Sequence, residues 1–144
     1  MSLSAGSSAD KPVIRSRRSR FALLSVGTVL ASVLANTVFY FVASLVVAYD
    51  SEFLPLASVG GAIIMTLSAG IVAVPLYAAL LRFTRNPARI FTGISAVVFV
   101  LTLIPVFTYI PTVPGWTSAQ SAILVSMHII AAYVIVRGLT LKAS

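Results

Sequence analysis

The sequence contains no cysteine, only three acidic residues and a single histidine among its 144 residues. The absence of cysteine excludes disulfides, iron–sulfur clusters, zinc–thiolate sites and thiol catalysis. Charged residues make up 9% of the chain, whereas an average soluble domain has roughly 25%. Because so little charge cannot cover a globular surface, the composition excludes a soluble fold and indicates an integral membrane protein.

The long apolar stretches contain neither an acidic residue nor a lysine. The first absence argues against a small proton-coupled exporter, which needs a carboxylate in the membrane, and the second excludes a retinal Schiff base. The chain also lacks a glycine-rich phosphate loop, an HExxH motif, paired carboxylates and a Ser/His/Asp set. We therefore expect a non-enzymatic protein with no catalytic residue, no metal and no cofactor.

Four apolar stretches dominate the rest of the sequence, and each reaches or approaches the roughly 20 residues that cross a bilayer as a helix. Their short connections make consecutive helices antiparallel neighbours. The sequence therefore predicts an all-α, antiparallel four-helix transmembrane bundle over residues 21–140, with helices at about 21–49, 54–81, 90–109 and 119–136.

Residues 1–20 are rich in serine and arginine and have little to bury, so we expect a disordered basic tail. A cleavable signal peptide is the alternative for this end of the chain. The apolar stretch after the arginines is too long for the core of a signal peptide, which favours a retained first helix.

All ten basic residues fall on one side of the predicted bundle. Five precede the first helix, three lie between the second and third helices, and two follow the fourth. The positive-inside rule then places both termini in the cytoplasm. The basic connection of Arg82, Arg85 and Arg89 is expected to contact anionic lipid headgroups. This arrangement explains the net charge of +7 without nucleic acid as a partner.

His128 is the only ionisable side chain inside a predicted span, and such residues are candidates for function. At 1.5 Å per residue it lies ~13 Å from the cytoplasmic end at Arg137. Three hydroxyl side chains fall at similar predicted depths: Thr28, Ser32 and Thr102. His128 can make interhelical hydrogen bonds, relay protons or contact a substrate, or ligate haem or a metal.

A second polar level is predicted in the outer half of the membrane. Asn36 lies ~24 Å from Arg20, and Thr66 and Ser121 fall at the same height on the second and fourth helices. These three side chains either join the helices by hydrogen bonds or line a small polar cavity open to the outside.

Small residues recur every fourth position on the first helix, at Gly27, Ala31 and Ala35. This spacing lets two helix backbones approach closely, either inside the bundle or between copies of the chain.

Three features together resemble a family of small bacterial four-helix membrane proteins of unknown function, found mainly in actinobacteria. They are the connection RFTRNPARIF (residues 82–91), the segment LTLIP (residues 101–105), and Met127-His128. The resemblance implies four helices and a bacterial inner membrane over residues 20–140, and it implies no activity.

We therefore expect a structural, assembly or accessory membrane component that acts through helix–helix contacts, as a homo-oligomer or with other membrane subunits. The alternatives are a small transporter or channel subunit with a polar path through His128 and Asn36, and a haem- or quinone-linked carrier.

Overall fold

The computed structural model describes residues 11–141, and the side chains of residues 19–141. Over that range the chain is all-helical, as predicted. The α-helices are α1 (Lys11–Ser44), α2 (Val59–Phe83), α3 (Pro87–Thr108) and α4 (Ser118–Leu141), and a short 3-10 helix covers Ile110–Thr112. Each α-helix contains a segment long and apolar enough to cross a membrane. The chain is thus a multi-pass membrane protein.

Helix α1 begins ten residues earlier than predicted. The predicted tail falls partly on residues 1–10, which lie outside the described residues, and its second half, from Lys11 to Arg20, is helical. Pro12 stands in the first turn, where a missing backbone N–H costs nothing, and arginine is a good helix former. The basic segment therefore extends α1 rather than preceding it.

The connection between α1 and α2 is longer than the four residues predicted, because α1 ends at Ser44 and α2 begins at Val59. Successive turns fill the interval, with the Phe53 N–H bonded to the Asp50 carbonyl and the Leu56 N–H bonded to the Phe53 carbonyl. Phe53 and Leu56 are completely buried. The connection between α1 and α2 therefore packs against the end of the bundle instead of continuing either helix.

The other two helices begin with clear local signals. Pro87 is the first residue of α3, three residues before the predicted start, and its fixed φ suits a helix start. Thr117 and Gln120 form a reciprocal cap at the start of α4: the Thr117 N–H donates to Gln120 Oε1 at 2.9 Å, and the Gln120 N–H donates to Thr117 Oγ1 at 3.3 Å. Helix α4 then runs past Arg137 to Leu141, five residues beyond its predicted end.

Helix α1 packs against α2 and α4, and α3 packs against the same two helices. Two apolar clusters hold the bundle together. The Tyr40 cluster contains Tyr40, Phe53, Leu56, Ala62, Ile123 and Met127. The Tyr77 cluster contains Tyr77, Phe91, Ile135 and Leu139, and its Tyr77 and Phe91 ring centroids are 4.9 Å apart.

Large apolar side chains cover the outside of the helices, including Leu23, Met65 and Phe107. Polar side chains are buried instead: Ser25, Thr28, Ser32, Asn36, Thr66 and Gln120. This distribution suits a protein whose surroundings are lipid, because each polar group exposed to hydrocarbon would cost several kcal/mol.

Candidate functional site

Four of the six buried polar residues lie on α1, at Ser25, Thr28, Ser32 and Asn36. Their spacing of three or four residues places them on one face of the helix. This α1 polar face points into the bundle, and each of its members is at most 5% exposed. Three of the four were predicted from the sequence; Ser25 was not, although its spacing from Thr28 and Ser32 indicates the same face.

Asn36 and Thr66 are hydrogen-bonded across the α1–α2 interface. Asn36 Nδ2 donates to Thr66 Oγ1 at 2.8 Å, and Thr66 Oγ1 donates to the Ala62 carbonyl at 2.8 Å. The two residues were predicted to lie at one level, and the structure brings them together.

Three buried oxygen atoms of the α1 polar face have no hydrogen-bond partner within the described part of the chain: Ser25 Oγ, Ser32 Oγ and Asn36 Oδ1. On the same helix, Thr28 and Thr37 each donate to the carbonyl four residues earlier, at 2.8 Å. Ser25 and Ser32 make no such bond to their own helix, so both remain available to a further partner.

The end of α1 nearest the long connection is closed by tyrosines. Tyr40 Oη donates to the Leu56 carbonyl at 2.8 Å, and Tyr49 Oη donates to the Tyr40 carbonyl at 2.8 Å. Burial, and secondarily the neighbouring Tyr40, raise the pKa of the Tyr49 phenol above its ordinary value. The phenol therefore stays neutral, as a hydrogen-bond donor must.

Two glycines let α1 approach its neighbours closely. A Cβ atom built on Gly138 of α4 would lie 2.6 Å from Thr28 Oγ1, and one built on Gly70 of α2 would lie 2.7 Å from Val29 Cγ2. Thr28 therefore packs at the level of Gly138, directly after Arg137.

Thr28 and His128 are not brought together. Gly138 is ten residues from His128, which is about 15 Å along α4. The two depths were predicted from Arg20 on α1 and from Arg137 on α4. Because Thr28 packs against Gly138 and α4 continues to Leu141, Arg137 lies about level with Thr28 and not with Arg20.

His128 itself is partly buried, and its ring bonds to its own helix. Nδ1 lies 2.7 Å from the Leu124 carbonyl oxygen. Because a carbonyl oxygen only accepts, Nδ1 carries the hydrogen in this contact. The structure thus gives His128 a partner within its own helix.

Two further predicted residues lie apart from the α1 polar face. Thr102 is exposed and donates to the Phe99 carbonyl at 2.8 Å, and Ser121 Oγ accepts from Trp116 Nε1 at 2.8 Å. Sequence reasoning missed Gln120, which is fully buried with its Nε2 unpaired among the described residues. The Thr-x-x-Gln pattern at residues 117–120 was the signal that could have found it.

The basic connection between α2 and α3 is exposed, with Arg82, Arg85 and Arg89 all at the surface. The Arg82 guanidinium lies 5.6 Å from the centre of the Phe83 ring, which is itself exposed. Among the side chains that the structure describes, no three His, Asp or Glu residues come together as a metal site.

Comparison with known proteins gives one match. No curated protein and no solved structure matches the chain. A protein-family model described as a family of unknown function, DUF6069, matches residues 16–144, which include all four spans and the α1 polar face. The chain therefore belongs to the DUF6069 family.

Proposed function

We propose that this protein is a non-enzymatic component of a bacterial cytoplasmic membrane that acts through helix–helix contacts, first of all with a second copy of itself. The observation that carries the proposal is the outer face of α1. Gly27 and Ala31 are both exposed there, one turn apart, and a Cβ atom built on Gly27 would meet nothing within 4 Å. The bundle therefore does not use this small-residue face.

The surroundings of Gly27 suit a partner helix. Leu23, Leu30 and Leu34 are 60% or more exposed and flank the shallow strip formed by the two small residues. Two such faces can bring backbones close and gain van der Waals contact, which is the main attraction between helices in lipid. Other membrane subunits could use the same face, and the experiment below distinguishes them by mass.

The proposal includes an antiparallel bundle with both ends in the cytoplasm. Support comes from paired positions on α1 and α2: Phe21 contacts Tyr77, and Asn36 bonds to Thr66. Residue numbers rise along one helix while they fall along the other. The one-sided distribution of basic residues supports the orientation. In this orientation the exposed arginines at the α2–α3 connection contact anionic lipid headgroups.

Native mass spectrometry of the protein gently extracted from its membrane tests the association. We expect a dimer of the 15.2 kDa chain, lost in Gly27→Leu because the larger side chain fills the strip. Gly93→Leu is the matched control, since Gly93 also has open space around it but is followed four residues later by Val97. A bare wild-type monomer, or equal loss in both variants, would contradict the proposal. A mass with a different subunit would replace the second copy by that partner.

A second candidate function, a small transporter or channel subunit, is favoured by the α1 polar face and its three unpaired oxygens. The test compares the flux of a polar solute into proteoliposomes that contain the wild-type protein, the His128→Ala variant or the Asn36→Ala variant. Lower flux in both would support a path through these residues, and unchanged flux would remove it.

A further inference from the structure

The α1 polar face lies between the two apolar clusters. Helix α1 reaches one through Tyr40 and the other through Phe21, which packs against Tyr77 with ring centroids 6.4 Å apart. Ser32 and Asn36 occupy the middle of this interval, and they are 0% and 3% exposed. Any group that satisfies them must therefore lie inside the bundle.

The orientation of the Asn36 amide follows from its partner. Thr66 Oγ1 donates its hydrogen to the Ala62 carbonyl, so toward Asn36 it can only accept. The Asn36 NH₂ group must face Thr66, because a flipped amide would place two acceptors against each other. Asn36 Oδ1 is therefore directed away from Thr66, with its lone pairs unused.

Ser32 supplies the complementary group one helical turn away. Its hydroxyl has no partner among the described residues, including its own helix. Side chains four residues apart on a helix have Cβ atoms about 5–6 Å apart, a gap that one small molecule can bridge. Leaving both groups unpaired in a membrane interior would cost several kcal/mol.

The site favours a neutral and very small ligand. The described spans carry no acidic side chain, so neutral oxygens alone would have to hold a cation. Thr28 and Val29 lie one turn before Ser32. The Thr28 side chain contacts α4 at Gly138, and the Val29 side chain contacts α2 at Gly70. The α1 helix is thus closely packed against α2 and α4 next to the site, which suits a very small ligand.

We propose that Ser32 and Asn36 together bind a water molecule inside the bundle, which donates a hydrogen bond to Asn36 Oδ1 and bonds to Ser32 Oγ. A buried water needs two to four polar partners, and these two side chains provide the minimum. The site is independent of the association proposed above, because the α1 polar face is turned away from Gly27.

Water-edited solid-state NMR of the full chain in lipid bilayers tests this site. We expect magnetisation to pass from water to the Asn36 side-chain amide and to the Ser32 side chain in the wild-type protein. Ser32→Ala should lose or weaken the transfer to Asn36. Thr37→Val is the matched control, because the Thr37 hydroxyl is already bonded to the Val33 carbonyl, and it should leave that transfer unchanged.

The wild-type measurement alone can overturn the proposal, even if a variant fails to fold. Absence of transfer to Ser32 and Asn36, in a sample where exposed Ser51 receives it, would show a dry site. A direct bond between Ser32 Oγ and the Thr28 carbonyl would contradict the proposal in the same way.

Discussion

At the scale of single residues, hydroxyl groups divide into two kinds. Thr102 and Ser126, like most of their class here, donate to a carbonyl of their own helix. Such a bond satisfies the hydroxyl locally, so it specifies no neighbour. The hydroxyl of Thr66 also accepts a hydrogen bond from Asn36 on the neighbouring helix. A bond of this second kind specifies which helices pack together.

The bond between Asn36 and Thr66 should stabilise the fold by a small, measurable amount. We expect Asn36→Ala and Thr66→Val to show a coupling free energy of about 0.6 kcal/mol, the average for such bonds in a membrane. A double-mutant cycle of unfolding in mixed micelles measures it. Pairing Asn36→Ala with Thr37→Val should give additive effects, and additivity in the Asn36–Thr66 pair as well would contradict the bond.

At the scale of elements, the contact between α1 and α4 depends on Gly138. A methyl group there would overlap Thr28, whose β-branched side chain has few alternative rotamers. We expect Gly138→Ala to lower the free energy of unfolding by about 1–3 kcal/mol, as overpacking does. Unfolding curves in mixed micelles check this value.

The same substitution at Gly93 provides the control, because its Cβ would meet nothing within 4 Å. Thr28→Ala in the Gly138→Ala background should recover most of the lost stability, since it removes the Thr28 methyl and hydroxyl groups from the contact. Equal effects at Gly93 and Gly138, or no recovery in the double variant, would show that helix propensity rather than packing is responsible.

Sequence reasoning predicted the four helices because hydrophobic length is a strong signal. It misjudged the end of α1 for a physical reason. Val47 is as apolar as residues within a span, but it belongs to the connection after α1 and packs against the Tyr40 cluster. Composition does not distinguish a residue buried by its own chain from one facing lipid.

The sequence predicted contacts in the candidate site where only the approximate depth of each side chain in the membrane was needed. Asn36 and Thr66 were predicted at the same depth by counting residues from Arg20 and Arg82, and their side chains are hydrogen-bonded. Thr28 and His128 did not meet, because His128 was measured from Arg137, which lies inside α4 at the level of Thr28 and not at the level of Arg20. The unpaired oxygens of Ser25 and Ser32 depend on rotamers, which no sequence pattern fixes.

At the scale of the whole molecule, the proposed orientation gives opposite chemical accessibility to the connections. Since the chain has no cysteine, single cysteines can be introduced without a background. Ser51 and Thr112 are exposed in the first and third connections, and Asn86 is exposed in the second. A membrane-impermeant maleimide should label Ser51→Cys and Thr112→Cys in intact cells, whereas Asn86→Cys should react only after lysis.

The physical reason is the cost of moving charge across the membrane during insertion. Arg85 lies in the second connection, with Arg82 at the end of α2 and Arg89 at the start of α3, while Asp50 and Glu52 lie in the first connection. Retaining the arginines in the cytoplasm is favoured, and acidic residues oppose translocation far less. Labelling of Asn86→Cys in intact cells together with protection of Ser51→Cys would show that the bundle has the opposite orientation. Labelling of Ser51→Cys without Thr112→Cys would instead require that α3 or α4 does not cross the membrane.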